Sequence, residues 1–318
     1  MSAYTPGTLS TEQSVRLEEA PCPMGCGGRD VSLFSGTDSL HGLPGTFTVV
    51  QCSACGLRRT NPRPAPESMS VYYPQQYAPY APKPLRSGMM GAALRRLRLD
   101  GTRVLVPPGA PGRALEIGCA SGGFLKRVEA RGWRVSGIEP SATAAETARK
   151  LGLSVHIGPL ETAPKPDEPL DLVMASHTFE HLHEPVAAFA KLRAWSKDSS
   201  WLTCAVPDSS TALFSRWKAS WYDLDLPRHL FHFTPDTLAA TLARGGWRVV
   251  RVKRQATLNG IMGTAGNAMK ARGWPRLGRA LSAFPNAPAV LREILWPLAM
   301  VAGLAGQSGR MVVWARAR

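Results

Sequence analysis

The chain has 318 residues, 44% hydrophobic and 19% charged, so it can bury a sizeable core, and a mainly disordered protein is excluded. Its 38 basic and 23 acidic residues give a net charge of +15, and two stretches, 83–103 and 251–318, carry that whole excess. The positive charge is therefore regional, which argues against a chain whose entire surface binds nucleic acid.

The first twenty residues are polar and contain no apolar stretch of the kind found in secretory signals. The nearest approach to an apolar membrane segment, 294–306, has thirteen residues and contains Pro297, whereas a bilayer crossing takes about 20. We therefore treat 1–20 as a flexible N-terminus and expect a cytoplasmic protein.

Four of the six cysteines form two closely spaced pairs within residues 21–65. Cys22 and Cys26 are spaced C-x3-C, Cys52 and Cys55 are spaced C-x2-C, and 25 residues separate the pairs. Four thiolates brought together by two tight turns suit a structural Zn2+ ion with no open coordination position. Residues 46–51 alternate like a strand leading into the second pair. The sequence therefore predicts a small zinc ribbon.

Residues 66–110 have no single regular pattern. The segment 61–84 is rich in proline and tyrosine, which is typical of a linker or a lid. Residues 86–100 have helical spacing with a basic face, and a loop at 107–112 precedes the main domain.

From residue 113 onward, predicted strands and helices alternate. The predicted strands are 114–118, 134–139, 153–157, 170–176, 201–206, 247–252 and 310–314, and the predicted helices are 123–131, 141–151, 185–195 and 234–244. Repeating βα units predict a doubly wound α/β fold with a seven-stranded, mostly parallel sheet over 111–318. Its site should lie at the C-terminal edge of the strands.

The turn after the first of these strands reads LEIGCASGGF at 115–124. It is not a dinucleotide fingerprint, because Ala120 stands where the second glycine of G-x-G-x-x-G is required. Glu116 precedes the first glycine of the turn by two residues, where a carboxylate would repel phosphates but attract an ammonium or sulfonium group. Glu139 ends the second strand, where an acid can accept both ribose hydroxyls. A cationic nucleoside without phosphates points to S-adenosylmethionine (SAM).

This turn, with VSGIEPS at 135–141 and DLVMASHTFEHLHEP at 171–185, resembles class I SAM-dependent methyltransferases over about residues 111–252. The resemblance implies a Rossmann-like methyltransferase domain. The SAM-binding residues that it implies are Glu116, Gly118, Cys119 and Gly122 in the turn, Glu139 and Pro140 after the second strand, and Ser176 and His177 after the fourth.

The N-terminal part resembles the branch of these methyltransferases that carries a zinc ribbon. In that branch an NPxP element follows the second cysteine pair and a YYPxxY element comes next; here these are 61–64 and 72–77. Its members commonly modify sugars or natural products, sometimes at carbon. The carbon-methylating sugar enzymes carry an extra C-terminal domain that these 318 residues do not contain. We therefore expect a small-molecule, sugar or glycan acceptor, methylated at oxygen rather than at carbon.

Five of the seven histidines fall into two short stretches that should both lie above the sheet edge. Because a hydroxyl nucleophile benefits from a general base, these stretches supply the candidate catalytic residues. His181 or His229 is the predicted base, and the other candidates are His177, Glu180 and His232. The alternative is that each histidine is a hydrogen-bonded loop residue. The nearby Asp223 and Asp225 could contact substrate hydroxyls, but exposed loop acids are usually solvated, and that is what we expect here.

The segment 177–181 is also similar to the E-x-x-E-H cluster of metal-assisted O-methyltransferases. Its first acid is replaced by His177, so a catalytic divalent metal is the less favoured alternative.

The segment 256–309 is a long insertion between the sixth and seventh strands, with an apolar helix at 291–304 and cationic flanks. Such a helix could lie in a membrane interface, which would place 286–306 at the inner membrane surface. The simpler interpretation, which we favour here, is an added helix pair that packs on the sheet or forms a dimer. The oligomeric state does not follow from the sequence.

Two other functions are compatible with parts of the chain. An RNA methyltransferase could use a zinc ribbon and positive charge. The catalytic half is neutral, however, and its fourth strand ends in Ala175-Ser176-His177 rather than the N/D-P-P-Y/F element expected for base amines, so a nucleic-acid partner is disfavoured. A non-catalytic SAM-binding protein would tolerate an incomplete site, but the acids and histidines present here are sufficient for catalysis.

Overall fold

The computed structural model describes residues 15–73, 105–288, 291 and 294–318. The basic helix predicted at 86–100 and most of the YYPxxY element lie outside the described residues. Within the described ranges, no helix combines the length and the hydropathy needed to cross a membrane.

The N-terminal part is built from five short strands. They are β1 (Leu17–Glu18), β2 (Asp30–Gly36), β3 (Phe47–Cys52), β4 (Arg58–Thr60) and β5 (Arg63–Pro64). β2, β3 and β4 form an antiparallel sheet, and β1 pairs with β5. Phe47 and Val49 of β3 are buried, as the alternation at 46–51 predicted.

A larger sheet of seven strands follows. Its strands are β6 (Arg113–Ile117), β7 (Arg134–Glu139), β8 (Ser154–Ile157), β9 (Leu170–Ser176), β10 (Ser196–Pro207), β12 (Trp247–Arg254) and β13 (Arg310–Ala317). Their order is β12-β13-β10-β9-β6-β7-β8, and β13 runs antiparallel to both of its neighbours while the neighbouring strands from β10 to β8 are parallel. The predicted seven-stranded, mostly parallel α/β sheet is confirmed. Its central strands are apolar because both faces are covered.

Eight α-helices of the described residues connect or flank these strands. They are α1 (Gly123–Glu129), α2 (Ala142–Lys150), α3 (Pro185–Ala194), α4 (Ala212–Trp217), α5 (Pro235–Arg244), α6 (Asn259–Ala271), α7 (Pro275–Ser282) and α8 (Trp296–Leu304). Local chemistry sets several boundaries: the Ser141 side chain caps α2, and a Thr234–Thr237 capping box with Pro235 begins α5. The insertion between β12 and β13 consists of α6, α7, a short 3-10 helix and α8.

One strand that the sequence did not indicate connects the α/β part of the chain to the ribbon. β11 (Phe231–His232) lies in the second histidine stretch, yet it pairs with β4 of the ribbon, Phe231 opposite Arg59 and His232 opposite Arg58. The ribbon sheet therefore has the order β11-β4-β3-β2. Because β11 belongs to both parts of the chain, the ribbon fixes the backbone beside His229.

A buried ion pair reinforces this junction. Arg228 is fully buried and binds Asp38 of the β2–β3 connection through two hydrogen bonds of 2.7 and 3.0 Å. It also binds Asp225, with an Nη2–Oδ1 distance of 2.6 Å. Removing one partner of such a buried ion pair strongly destabilises a protein, since an unpaired charge then remains buried.

The proline-rich segment after β5 is packed as far as the structure describes it. Residues Pro66–Tyr72 form a 3-10 helix whose Met69 and Tyr72 side chains are buried. The Tyr72 ring packs edge-on against Phe47, and its hydroxyl donates to the Pro44 carbonyl. From its composition we predicted a linker or lid here, because the prolines interrupt the periodicity that would otherwise indicate buried side chains.

Candidate functional site

The turn between β6 and α1 is a tight backbone bend held against β7. The amides of Gly118 and Cys119 donate to the Ile138 carbonyl, and the Gly122 amide donates to the Cys119 carbonyl. Gly118, Ala120 and Gly122 all have positive φ, 71°, 46° and 76°. A left-handed alanine is strained, and such residues concentrate at functional sites.

Position 122 requires a glycine for steric reasons as well as for its positive φ. A Cβ atom at this position would lie 2.4 Å from Leu153 Cδ1 and 2.9 Å from Ala148 Cβ, both from buried side chains. α1 therefore approaches the α2–β8 region more closely than any side chain at position 122 would allow.

We expect Gly122→Ala to lower the free energy of unfolding by about 2–5 kcal/mol, because left-handed strain of about 1–2 kcal/mol adds to overpacking of about 1–3 kcal/mol. Gly152→Ala is the matched control, since Gly152 also has positive φ (80°) but faces open space. It should lose only the strain. Urea denaturation of both variants measures the difference, and equal losses would contradict the close approach.

Two carboxylates flank this bend. Glu139 Oε2 accepts from the Ala120 amide and Oε1 accepts from the Ser141 amide, both at 2.8 Å. Glu116 at the end of β6 is fully buried, and its Oε2 has no hydrogen-bond partner among the described residues. Burial, reinforced by the charge of Glu139 and opposed by Arg127, raises the pKa of Glu116 to about 8. Burial also raises the pKa of Glu139, against the two amides.

A bound cation would stabilise the Glu116 carboxylate, because its Oε2 has no hydrogen-bond partner among the described residues and burial raises its pKa. The residues present therefore fit SAM: Glu116 would hold its cationic part, and Glu139 stands at the strand end that holds a ribose.

A single cavity of about 3010 Å3 lies above the C-terminal edge of the sheet. Its lining includes the predicted SAM-binding residues Glu116, Gly118, Cys119, Glu139, Pro140, Ser176 and His177. Gly122 is the exception, since it is covered by α2 and acts by shaping the bend. The bend and the histidine stretches therefore share one space.

The two histidine stretches meet around Glu180, which is fully buried. The Glu180 carboxylate lies 3.2 Å from His177 Nδ1 and 3.9 Å from His229 Nε2. Burial would raise the pKa of Glu180, but the His177 hydrogen bond and the charges of His177, His229 and His181 outweigh it and lower this pKa to about 2. Glu180 does not line the cavity, so it orients histidines rather than touching an acceptor.

His229 is held in a defined orientation at the cavity wall. Its Nδ1 lies 2.8 Å from the Asp223 carbonyl oxygen, which only an Nδ1–H can use as a hydrogen-bond acceptor. Nε2 is therefore the lone-pair nitrogen of the neutral ring, and it lies 3.7 Å from Asp225 Oδ2. This is the arrangement expected of a general base whose other nitrogen is anchored.

His181 is more constrained. Its Nδ1 lies 2.9 Å from the Tyr73 hydroxyl and 3.0 Å from the Arg228 carbonyl oxygen, and its ring packs edge-on against His229. Burial and the charge of His229 lower the pKa of His181 to about 4. One ligand atom each from Glu180, His181 and His229 lies within 4.8 Å of the others, a spacing that a divalent cation would also accept.

His232 stands apart from the other candidates. It is buried in β11, with Nε2 3.3 Å from Thr60 Oγ1, and does not line the cavity. Burial, with the charges of His229 and Arg58, lowers its pKa to about 3. His232 therefore lies in the junction between the ribbon and the α/β part, and not at the cavity.

Several residues at this site were not found by sequence reasoning. Asp223 and Asp225, expected to be solvated, are instead largely buried, and Arg310 binds Asp223 at 2.7 Å as Arg228 binds Asp225. Tyr73 reaches His181 from the segment assigned to a linker. Arg310 is 87 residues from Asp223 and Tyr73 is 108 residues from His181, so no local spacing marks these two contacts. Arg228 is only three residues from Asp225, but that spacing does not show that both side chains are buried.

The four cysteines Cys22, Cys26, Cys52 and Cys55 come together as predicted. Three of their Sγ–Sγ distances are 3.3, 3.5 and 3.7 Å, close to the roughly 3.8 Å expected for sulfurs 2.3 Å from one tetrahedral zinc. Gly25 and Gly56, in each turn, have positive φ. Although burial opposes it, hydrogen bonds from the Cys55 and Ala54 amides lower the pKa of Cys52 to about 6, which favours a thiolate.

Comparison with known proteins gives consistent results. A sequence model described as a methyltransferase domain matches residues 90–252, about half of the chain. An uncharacterized methyltransferase of Geobacillus thermodenitrificans is 30% identical over 155 residues, 45% of this chain and 72% of that protein. One of Schizosaccharomyces pombe is 31% identical over 117 residues, 31% of this chain and 41% of that protein. A SAM-dependent methyltransferase structure from Mesorhizobium loti has a TM-score of 0.42 at 16% identity, covering 73% and 100% of the two chains.

Proposed function

The chain belongs to the methyltransferase-domain family and is a SAM-dependent methyltransferase, and on that premise we propose that it methylates a hydroxyl oxygen of a small-molecule, sugar or glycan acceptor. The observation that supports an oxygen acceptor is the orientation of His229, which lines the cavity and holds Nε2, the lone-pair nitrogen of its neutral ring, next to two carboxylates. A hydroxyl is a weak nucleophile, and a base at this position assists its attack by removing its proton.

When bound, SAM would supply the methyl group, whose bond to sulfur would break as the oxygen attacks, leaving a neutral thioether. His229 Nε2 takes the hydroxyl proton as the oxygen–methyl bond forms, and Glu180 and Asp225 stabilise the imidazolium that results. His229 is preferred over His181 because a base with a pKa of about 4 is weak at neutral pH. The remaining catalytic contribution is positional, since alignment of reactants is worth up to about 7–11 kcal/mol in favourable cases.

We expect His229→Gln to lower the rate of methyl transfer about 100- to 10,000-fold, the usual contribution of general base catalysis. SAM affinity should change less than about threefold, because Glu116 and Glu139 form the cofactor side. The measurement uses labelled SAM with candidate glycans and small-molecule fractions, and compares turnover with calorimetric SAM binding. His156→Gln in β8, outside the cavity lining, is the control.

Unchanged turnover in the His229 variant would remove the base assignment. Labelling of an RNA fraction instead of small molecules would favour the nucleic-acid alternative, and SAM binding without any labelled product would favour a non-catalytic protein. Loss of turnover on chelation, with the cysteine-bound zinc retained, would make Glu180, His181 and His229 metal ligands.

We also propose that the four cysteines bind a structural Zn2+ ion. Their sulfur spacing and the absence of any other ligand type within the cluster of described residues suit a closed tetrahedral site. The ion would stabilise the ribbon and, through β4 and β11, the backbone next to His229.

A further inference from the structure

Helix α8 presents most of its apolar surface to solvent. Four side chains of the helix and that of the preceding Ile294 are exposed by more than half: Ile294, Trp296, Leu298, Val301 and Leu304, the last by 83%. Met300 is half-buried. No charged residue occurs from 294 to 309. The packed helix pair that we favoured from sequence would bury such side chains, so this surface is left without a partner among the described residues.

The inner side of α8 is narrow. Ala299 is its one buried side chain, and Gly303 approaches the backbone of Gln255 and Ala256 at the end of β12, where a Cβ atom would lie 3.1 Å from the Gln255 carbonyl oxygen. The helix therefore rests on the domain by a strip of small residues and keeps a fixed orientation. Its outer face is consequently a defined surface rather than a partly packed core.

The part of the sequence that contains this helix is positively charged. From residue 237 to 318 the chain has thirteen basic residues and one acid, Glu293. Arg272, Arg276 and Arg279, around and within α7, are exposed, and none takes part in a salt bridge within the described ranges. The partner that complements this region is anionic.

The exposed helix also borders the catalytic cavity. Trp296 and Leu304 line the same cavity as Glu116 and His229, and so does Lys270 of α6. An apolar molecule held at α8 would therefore lie at the entrance to the space where methyl transfer is proposed.

We propose that α8 and the arginines of 272–279 dock on an anionic membrane surface, with the apolar side chains in the interface and the cavity entrance facing the lipid. Apolar side chains combined with flanking cations are the features by which interfacial helices bind anionic lipids. A nucleic acid would leave the aliphatic side chains exposed, and a second copy would bring two basic surfaces together. Resting on the proposed function, this assigns the acceptor to amphipathic, membrane-resident molecules that carry a hydroxyl group.

The test is flotation of the full chain with phosphatidylcholine vesicles, with and without about 30% phosphatidylglycerol, at about 0.05 and 0.5 M salt. The protein should float with the anionic vesicles at low salt and be released at high salt. Leu298→Asp/Val301→Asp should lower the bound fraction at least about fivefold, and Arg276→Gln/Arg279→Gln should weaken binding to anionic vesicles only. Val31→Asp/Leu151→Asp, also at exposed apolar positions, is the matched control.

Protein that stays in the soluble fraction with anionic vesicles at low salt would overturn the proposal, as would Leu298→Asp/Val301→Asp binding like the unchanged chain. A concentration-dependent dimer abolished by that same variant, without vesicle binding, would show that the surface joins two copies instead. Calorimetric SAM binding, measured on each protein, reports separately on the methyltransferase site and on folding.

Discussion

Replacing Glu116 with glutamine should weaken SAM binding at least about 100-fold, or about 2.7 kcal/mol, while it stabilises the ligand-free protein at pH 8 and above. Both effects come from one buried carboxylate whose Oε2 has no hydrogen-bond partner among the residues that the structure describes. With SAM bound, its negative charge faces a cation; without SAM, burial makes that charge unfavourable and raises the pKa of Glu116 to about 8.

The sign of the pH dependence follows from that raised pKa. The folded chain binds the Glu116 proton more tightly than the unfolded chain, where a glutamate titrates near pH 4.3. The contribution of this proton to stability is complete below about pH 4.3 and is lost as pH rises through about 8. SAM affinity should have the opposite pH dependence. It should increase toward pH 8 and then level off. SAM binding below pH 8 should release up to one proton.

Calorimetry in two buffers of different ionisation enthalpy measures the released proton, and thermal unfolding at several pH values measures stability. Glu116→Gln should remove both pH dependences. Glu146→Gln, an exposed acid of α2, should leave both intact. A Glu116→Gln protein that binds SAM normally would contradict the cofactor site described here, especially if the unchanged protein held a nicotinamide nucleotide instead.

Loss of the cysteine-bound metal is the second change with a large expected effect. Cys52→Ser should abolish zinc binding and lower methyl transfer at least about 100-fold, while SAM affinity changes less than about threefold. Structural zinc contributes about 10–16 kcal/mol in isolated fingers, so the ribbon strands should lose their order without it. β11 would then lose its pairing with β4, and the His229 backbone would lose its support.

Metal analysis, SAM calorimetry, turnover and amide hydrogen exchange together test this coupling. Faster exchange is expected in β3, β4 and β11, with little change in β6 and β7. Cys204→Ala is the control, because Cys204 is a buried thiol of β10 outside the cluster. A metal-free variant that retains full turnover would show that the ribbon does not position His229.

The Arg228 ion pairs explain why the ribbon and the catalytic stretch act together. Asp38 belongs to the ribbon, Asp225 to the loop before His229, and Arg228 binds both while it is completely shielded from solvent. Breaking the ribbon would therefore expose or leave unpaired a buried charge in the catalytic loop. We therefore expect the ribbon to position the site in addition to its proposed binding of zinc.

The sequence by itself determined the elements whose signals are local. Alternating β and α patterns predicted the seven-stranded sheet, and paired cysteine spacings predicted the sulfur cluster, because these signals are each encoded within a few residues. Glu116, Gly118 and Glu139 were selected in the same way from a strand, a glycine bend and an acid at a strand end. They line one cavity, and their binding of SAM stays a prediction. Capping residues likewise set the starts of α2 and α5.

Only the tertiary structure decided which of these pieces act on one another. β11 joins the ribbon sheet although its sequence follows a histidine loop, Asp38 and Arg228 pair across 190 positions, and α8 remains exposed although its composition equally suits a packed helix. Hydrogen bonds between distant segments and the burial of charges depend on how the whole chain closes on itself. Residue order near each group contains no record of that closure, so the anchoring of His229, the burial of Asp223 and Asp225 and the exposure of α8 followed only from the fold.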